Sequence, residues 1–244
     1  GYELRRRKNK MTNIKIPKYF MGKEIAKEGK EAYERLMKGE DKPIQTPIAN
    51  PIKDKPDLND FIYVPSINLY VAKQRTHLNK NWYDCHKELQ KDNQRMLIIP
   101  EFIEFLKYLK SQSNNQEYKN IYNEITEVRA PWRAEWLDAN FKKKKDGLYI
   151  LTENETKEEK LEDCLMQDKL PGISLDDYIM KNHTNQGLPT KKVSSGNLYY
   201  WKPKEDNNSV AGFGANDDRA YLGCGRGPSD ADSYLGVRVA KEKK

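Results

Sequence analysis

The chain has 244 residues, 36% of them hydrophobic and 33% charged, with a formal net charge of +7. That length admits one large domain or two small ones. Fifteen Tyr, six Phe and four Trp can build a core, which argues against wholesale disorder, and no apolar run approaches the roughly 18 residues of a membrane helix.

The charge is unevenly placed. Residues 1–20 hold Arg5, Arg6, Arg7, Lys8, Lys10, Lys15 and Lys18 against Glu3, a net +6 that leaves +1 for the rest. A basic leader on a nearly neutral body does not imply a basic patch on the folded domain. No apolar stretch of signal-peptide type follows the cluster. The three cysteines, Cys85, Cys164 and Cys224, form no C-x-x-C pair, and the three histidines are scattered. A disulfide framework, a structural zinc site and a metalloenzyme are therefore disfavoured.

Residues 1–20 read as a flexible basic leader. Ile25, Ala32, Tyr33 and Leu36 share one helical face over 21–38, and Gly39 is a stop. Four Pro among polar residues make 40–59 a connecting arm. The third region, 60–241, is the domain proper. Phe61–Val64 and Ile67–Ala72 predict strands, rich in β-branched and aromatic residues. Trp82, Cys85, His86 and Leu89 recur at helical spacing, so Cys85 and His86 are packing residues. Met96–Ile99 is a strand candidate. Pro100 then opens a helix aligning Phe102, Leu106 and Leu109, with Glu101 and Glu104 favouring its dipole.

A polar loop over 111–117 precedes a short helix over 117–126. The segment of Trp132, Trp136 and Phe141 carries no clear period. Lys142–Lys145 with Asp146-Gly147 is a hairpin tip before the strand Leu148–Leu151. Residues 152–162 are an acidic surface loop. Ser174 with Asp177 is a helix start, which gives Asp176 and Asp177 a structural role. Ser195-Gly196-Asn197 leads into the strand Leu198–Trp201.

The composition then changes. No lysine occurs between Lys204 and Lys241, where the chain-wide frequency would place about five. From Asp206 to Arg238 there is no Glu, Gln, Met, Trp, His, Ile or Thr either. Tyr221, Gly223, Gly225 and Gly227 alternate with Leu222, Cys224 and Arg226, and Asp230, Asp232 and Tyr234 continue the period of two. In extended chain such residues share a face, with Leu222 and Cys224 inward. Asp, Gly, Ala, Ser, Tyr and Asn are all reachable from the Asn codon AAC by changing adenines alone. Lys, Glu, Gln, Met and Trp are not.

The stretch from Asn207 to Arg238 resembles the variable region of a diversity-generating retroelement target protein, of archaeal or phage-related type. In that family an error-prone reverse transcriptase copies a template and alters its adenines. The closing Leu235-Gly-Val-Arg-Val resembles the last strand of C-type-lectin-like domains of the formylglycine-generating-enzyme subtype, with Val237 in place of the usual Phe. The resemblance implies an α+β C-type lectin fold: two small twisted antiparallel sheets, two main helices, and paired N- and C-terminal strands of the domain. The strand near 61–72 would meet the strand near 235–240.

It also implies that the variable region, about 206–238, displays ligand-binding side chains on a solvent-exposed face of a rigid scaffold. The positions are Gly214, Asn216, Asp217, Asp218, Tyr221, Gly223, Gly225, Gly227, Asp230, Ala231, Asp232 and Tyr234, with Gly212 weaker. Cys224 has no neighbouring cysteine, so the enzymatic chemistry of that fold subtype does not carry over. Neither Glu-Pro-Asn nor Trp-Asn-Asp occurs, so calcium-dependent sugar binding does not either. No catalytic residue, metal or cofactor is expected.

The leading expectation is a non-enzymatic, receptor-type binding protein whose specificity is set by the diversified face. Its partner would be a macromolecular ligand, a protein or a cell-surface component, without membrane insertion. Tyr supplies contact area, and Gly, Ser and Asn supply adaptable shape. Segment 205–238 carries a net −3, which leads to the expectation of an acidic site suited to cationic surfaces. The alternative is a nucleic-acid-binding protein led by residues 1–20, against which the neutral body weighs. A glycine-rich phosphate loop is disfavoured, because G-x-x-x-x-G-K-[ST] is absent. With no signal or membrane segment in this chain, a cytoplasmic location is the default and a virion or cell surface the alternative.

Overall fold

The computed structural model divides the chain into two units, Gly1–Asp54 and Lys55–Lys244. It describes residues 58–205 and 208–243, and in the first unit Tyr19–Phe20 (β1) and Lys23–Glu24 (β2), which pair antiparallel. The rest of the expected leader, of the helix over 21–38 and of the arm over 40–59 lies outside the described residues.

The second unit begins with a short 3-10 turn, Leu58–Asp60, and a hairpin of β3 (Phe61–Val64) and β4 (Leu69–Thr76). Three helices follow. In α1 (Trp82–Lys91) the buried residues are Trp82, Cys85, His86 and Leu89, the stripe the spacing predicts, and the Asn81 side chain caps it by accepting from the Asp84 N–H. His86 meets the Trp82 ring edge-on at 4.1 Å, and its Nε2 lies 3.4 Å from Asp138 Oδ1, so its role is packing beside a buried carboxylate. The second helix, α2 (Ile99–Ser111), and the third, α3 (Gln116–Thr126), contact one another through their apolar stripes.

The Met96–Ile99 strand does not form. Met96 and Leu97 are buried, but single hydrogen bonds hold the segment, such as Asp138 N–H to the Leu97 carbonyl, with no ladder. Ile99 is already helical, and the Glu101 carboxylate accepts the Ile98 N–H at 3.1 Å. A satisfied helix start has won over β propensity.

The remaining elements are β5 (Arg133–Lys144), β6 (Gly147–Thr152), β7 (Lys157–Lys160), β8 (Lys169–Ile173), α4 (Leu175–Met180), β9 (Leu198–Trp201), β10 (Ser209–Ala215), β11 (Ala220–Arg226) and β12 (Leu235–Glu242). The Ser174 hydroxyl caps α4 through the Asp177 N–H, and the Asp177 carboxylate holds Ser194, the structural role expected of it. The segment expected as a loop over 152–162 contains β7, exposed throughout and paired with β6.

The fold is mixed α+β, with four helices and ten linked strands among the described residues. The sheet order is β3-β4-β12-β5-β10-β11-β9-β8, with β6 and β7 extending from β5. The expected pairing of early and final strands is present: β12 runs antiparallel to β4, with Val237 opposite Thr76 and Glu242 opposite Leu69. Two separate antiparallel sheets and two main helices are not what forms. Leu235 and Gly236 pair in parallel with Ala134 and Glu135, joining β3-β4-β12 to the rest, and β11 is parallel to β9. The long central strand β5, which no short-range period announced, makes that junction.

The sheet has two unlike faces. One packs Phe213, Leu222, Cys224 and Tyr200 into the main core with residues of α2, α3 and α4. On the other, Trp82, Cys85 and Leu89 of α1 gather with Ala134, Trp136, Val210 and Leu235 into a smaller core. Beyond the reach of α1, that second face is open.

Candidate functional site: the open face of the sheet

The open face is built where β9, β11, β10 and β5 lie side by side. Register sets its composition. Tyr221 is opposite Tyr199 on one side and Gly214 on the other, and Gly223 is opposite Trp201 and Gly212. Gly214 and Gly212 in turn face Ala134 and Trp136. Residues directly opposite in adjacent strands project the same way. Leu222 and Cys224 are buried while Tyr221, Gly223 and Gly225 are partly exposed, so the inward and outward sets lie as their alternation requires.

The face is strongly aromatic. Trp201 meets Tyr221 edge-on at 5.5 Å, Tyr199 lies 6.1 Å from Trp201, and Trp132 lies 6.0 Å from the exposed Tyr234. Only Tyr221 and Tyr234 belong to the compositionally shifted segment 206–238. The other rings stand on β9, or on β5 and the residue before it, and only the fold brings them there.

Arg226 departs from the period of two. Gly212 pairs with Gly223 and Val210 with Arg226, so three steps on β11 match two on β10. This bulge turns Arg226 out of the Leu222–Cys224 row and onto the aromatic face. Its guanidinium stands 5.7 Å from the Trp132 ring centroid and 5.8 Å from that of Trp136, and no carboxylate pairs with it among the described residues.

Two clefts open on the face, and Tyr221 and Arg226 line both. The first, about 500 Å³, lies between Trp201, Lys202 and Lys204 on one side and Gly223, Gly225 and Asp230 on the other. The second, about 480 Å³, is bordered by Arg129, Trp132, Asn216 and Asp217. Burial, with the Arg226 guanidinium opposing it, pushes the Tyr221 hydroxyl above its ordinary pKa, so it remains a neutral hydrogen-bonding group at physiological pH.

The expected positions separate into groups. Tyr221, Gly223, Gly225, Asp230, Asn216 and Asp217 border the clefts. Asp218, Gly227, Ala231, Asp232 and Tyr234 do not. Asp218 is paired with Arg219, whose guanidinium covers the Tyr199 ring at 4.4 Å. Asn216 and Asp232 are also turn-holders: Asn216 Oδ1 accepts the Arg219 N–H, and Asp232 Oδ1 accepts the Tyr234 N–H. Gly212 and Gly214 are buried rather than exposed. The Tyr221 ring occupies the space above Gly214, where an added Cβ would come within 2.5 Å of its hydroxyl. At Gly223 a Cβ would meet nothing closer than 3.8 Å. None of the glycines on this face has a left-handed backbone, so none is required by chain conformation.

The face is not acidic. Arg129, Lys202, Lys204 and Arg226 line the clefts against Asp168, Asp217 and Asp230. The −3 of segment 205–238 is offset because the fold places Arg129 and the β9-proximal lysines beside it.

Beneath the face, β5 anchors a buried charge cluster. Glu135 is bonded by Arg133 and by Arg238, whose Nε lies 2.9 Å away. Burial pushes the Glu135 carboxyl up, but the Arg238 and Arg133 guanidiniums outweigh it and hold the pKa at about 2. Arg75 donates to the carbonyls of Ala134 and Tyr234, tying the end of the compositionally shifted segment to β5. Among the described residues, no group of three His, Cys, Asp or Glu side chains is disposed to hold a metal, and no helix is long and apolar enough to cross a membrane. Comparison with known proteins finds no matching family model, curated protein or solved structure.

Proposed function

We propose that this is a non-enzymatic, receptor-type ligand-binding protein of C-type-lectin-like fold, whose open sheet face carries residues diversified by a retroelement. One observation carries the reading. Within a segment of sharply shifted composition, Tyr221, Gly223 and Gly225 border open clefts, while their neighbours Leu222 and Cys224 fill the core. A scaffold can tolerate variation at the first set only if the second set is held constant. Glycines without a left-handed backbone, in strands where glycine is disfavoured, support the same reading. The antiparallel pairing of β4 with β12 supports the lectin-like topology.

The ligand is a macromolecular surface, protein or cell-surface in kind. Sequencing the DNA that adjoins the gene tests the proposal. The expected result is a near-copy of codons 206–238, differing where the copy has adenine, beside a reverse transcriptase gene. A locus with neither would remove the diversification claim.

A further inference from the structure

Resting on that reading of the face, we infer that its fixed part selects ligands by negative charge: the partner is an acidic polypeptide segment, and the diversified positions tune affinity around a constant cationic frame. The cleft residues differ in origin. Arg129, Lys202 and Lys204 all lie outside 206–238, so any variant that keeps the scaffold keeps them. The carboxylate from outside that segment is Asp168, and its Oδ1 already accepts the Lys202 N–H at 2.9 Å. The other two carboxylates, Asp217 and Asp230, stand at positions assigned to diversification. Lys202 Nζ reaches Glu205 at 3.5 Å and Arg129 lies 4.0 Å from Glu124, so the fixed cation left without a carboxylate among the described residues is Lys204. Beside it stands Arg226, which is not among the diversified positions, and this copy sets two replaceable acids against that pair.

Placement adds to the charge argument. Lys204 lies across Gly225, with its Cε 3.3 Å from where a Cβ would stand, so its chain is held over the first cleft. Arg226, without a carboxylate partner among the described residues, is stacked near two indoles in the wall between the clefts. A guanidinium seated on aromatic rings retains free N–H edges for a carboxylate. Two discrete clefts separated by the Tyr221–Arg226 wall fit acidic and aromatic side chains of a peptide. A nucleic-acid backbone would instead favour a continuous basic track.

The test titrates the full chain with a dye-labelled octapeptide of alternating Glu and Tyr, read by fluorescence anisotropy. Controls are the matching Gln-Tyr octapeptide and single-stranded oligo-dT. The Asp217→Asn/Asp230→Asn variant should bind the Glu-Tyr peptide about tenfold tighter than the parent, about threefold for each exposed carboxylate removed. Adding Lys204→Gln and Arg226→Gln should cancel that gain, and binding should weaken with salt. All four positions are at the surface, and unchanged thermal melts establish that the variants fold.

Four outcomes overturn the inference. The Asp-to-Asn variant binds no tighter. The Lys204→Gln/Arg226→Gln pair changes nothing, which would place the peptide on the Arg5–Lys8 run. The Gln-Tyr peptide binds equally well. Or oligo-dT binds more tightly than the peptide and depends on Lys204 and Arg226, making the partner a nucleic acid. A failed titration at a locus that does contain the template would sink the acidic partner and leave the diversification reading standing. A missing template would do the reverse.

Discussion

Adjacent residues on β11 should respond in opposite ways to truncation. Leu222 is 1% exposed and packs in the main core. Leu222→Ala removes that contact and leaves a cavity, at a cost of about 3 kcal/mol or more. For a domain of this size, that lowers the melting temperature by roughly 6–12 °C. Tyr221→Ala loses an edge-on aromatic contact with Trp201 on an open face. That costs about 1 kcal/mol, or roughly 2–4 °C. Binding should invert the order, since Tyr221 borders both clefts and Leu222 neither. Thermal and urea unfolding by circular dichroism measure the first difference, and titration with the Glu-Tyr peptide measures the second. Equal destabilisation by the two substitutions, or a Leu222→Ala cost below about 1 kcal/mol, would refute the assigned orientation of β11.

Glycine positions on the face should differ in tolerance. Gly223→Tyr should change stability by less than about 0.5 kcal/mol, whereas Gly214→Tyr should lower the urea midpoint markedly, because Tyr221 and the Arg133 carbonyl fill its space. Glu135→Gln should cost about 3–5 kcal/mol by leaving Arg133 and Arg238 underpaired in the interior. The same carboxyl should make the domain acid-sensitive. Its folded pKa of about 2 is depressed from 4.5, so its contribution is present above pH 4.5 and is lost as the pH falls toward 2. The amount is roughly 3 kcal/mol, read as a falling urea midpoint across that window and reduced in Glu135→Gln. Burial raises the Cys85 thiol to about 12 and the Cys164 thiol to about 11, and it holds that of Cys224 well above the ordinary thiol range. Ellman's reagent should label none of the three in the native protein and all three in denaturant.

Much of the local structure is legible in the sequence because each such element carries its own period or stop signal. The α1 stripe, the Ser174 cap, the strands β3 and β4 and the inward set on β11 are local properties of neighbouring residues. Met96–Ile99 misleads because its apolar run suits a strand and a buried helix entry equally well. The central strand β5 is illegible for a related reason. Nine consecutive residues from Arg133 to Phe141 are buried on both faces, so alternation is lost, and buried Arg133, Glu135 and Asp138 imitate a surface segment. Their burial is acceptable only with partners far along the chain, the Arg238 guanidinium of β12 and the His86 ring of α1.

The sequence by itself located the altered segment, marked its anchors at Leu222 and Cys224, and named Tyr221 and its small neighbours as one row. Tertiary structure alone decided what surrounds that row. Strand neighbours brought in Trp132, Trp201, Lys202 and Lys204, and a bulge set by the β10–β11 register turned Arg226 outward. Tyr221 folded over Gly214 and took that position out of solvent. A period is a property of consecutive residues, whereas the charge and shape of a sheet face depend on which strands lie side by side. That is why a segment with net charge −3 ends in clefts where cations outnumber carboxylates.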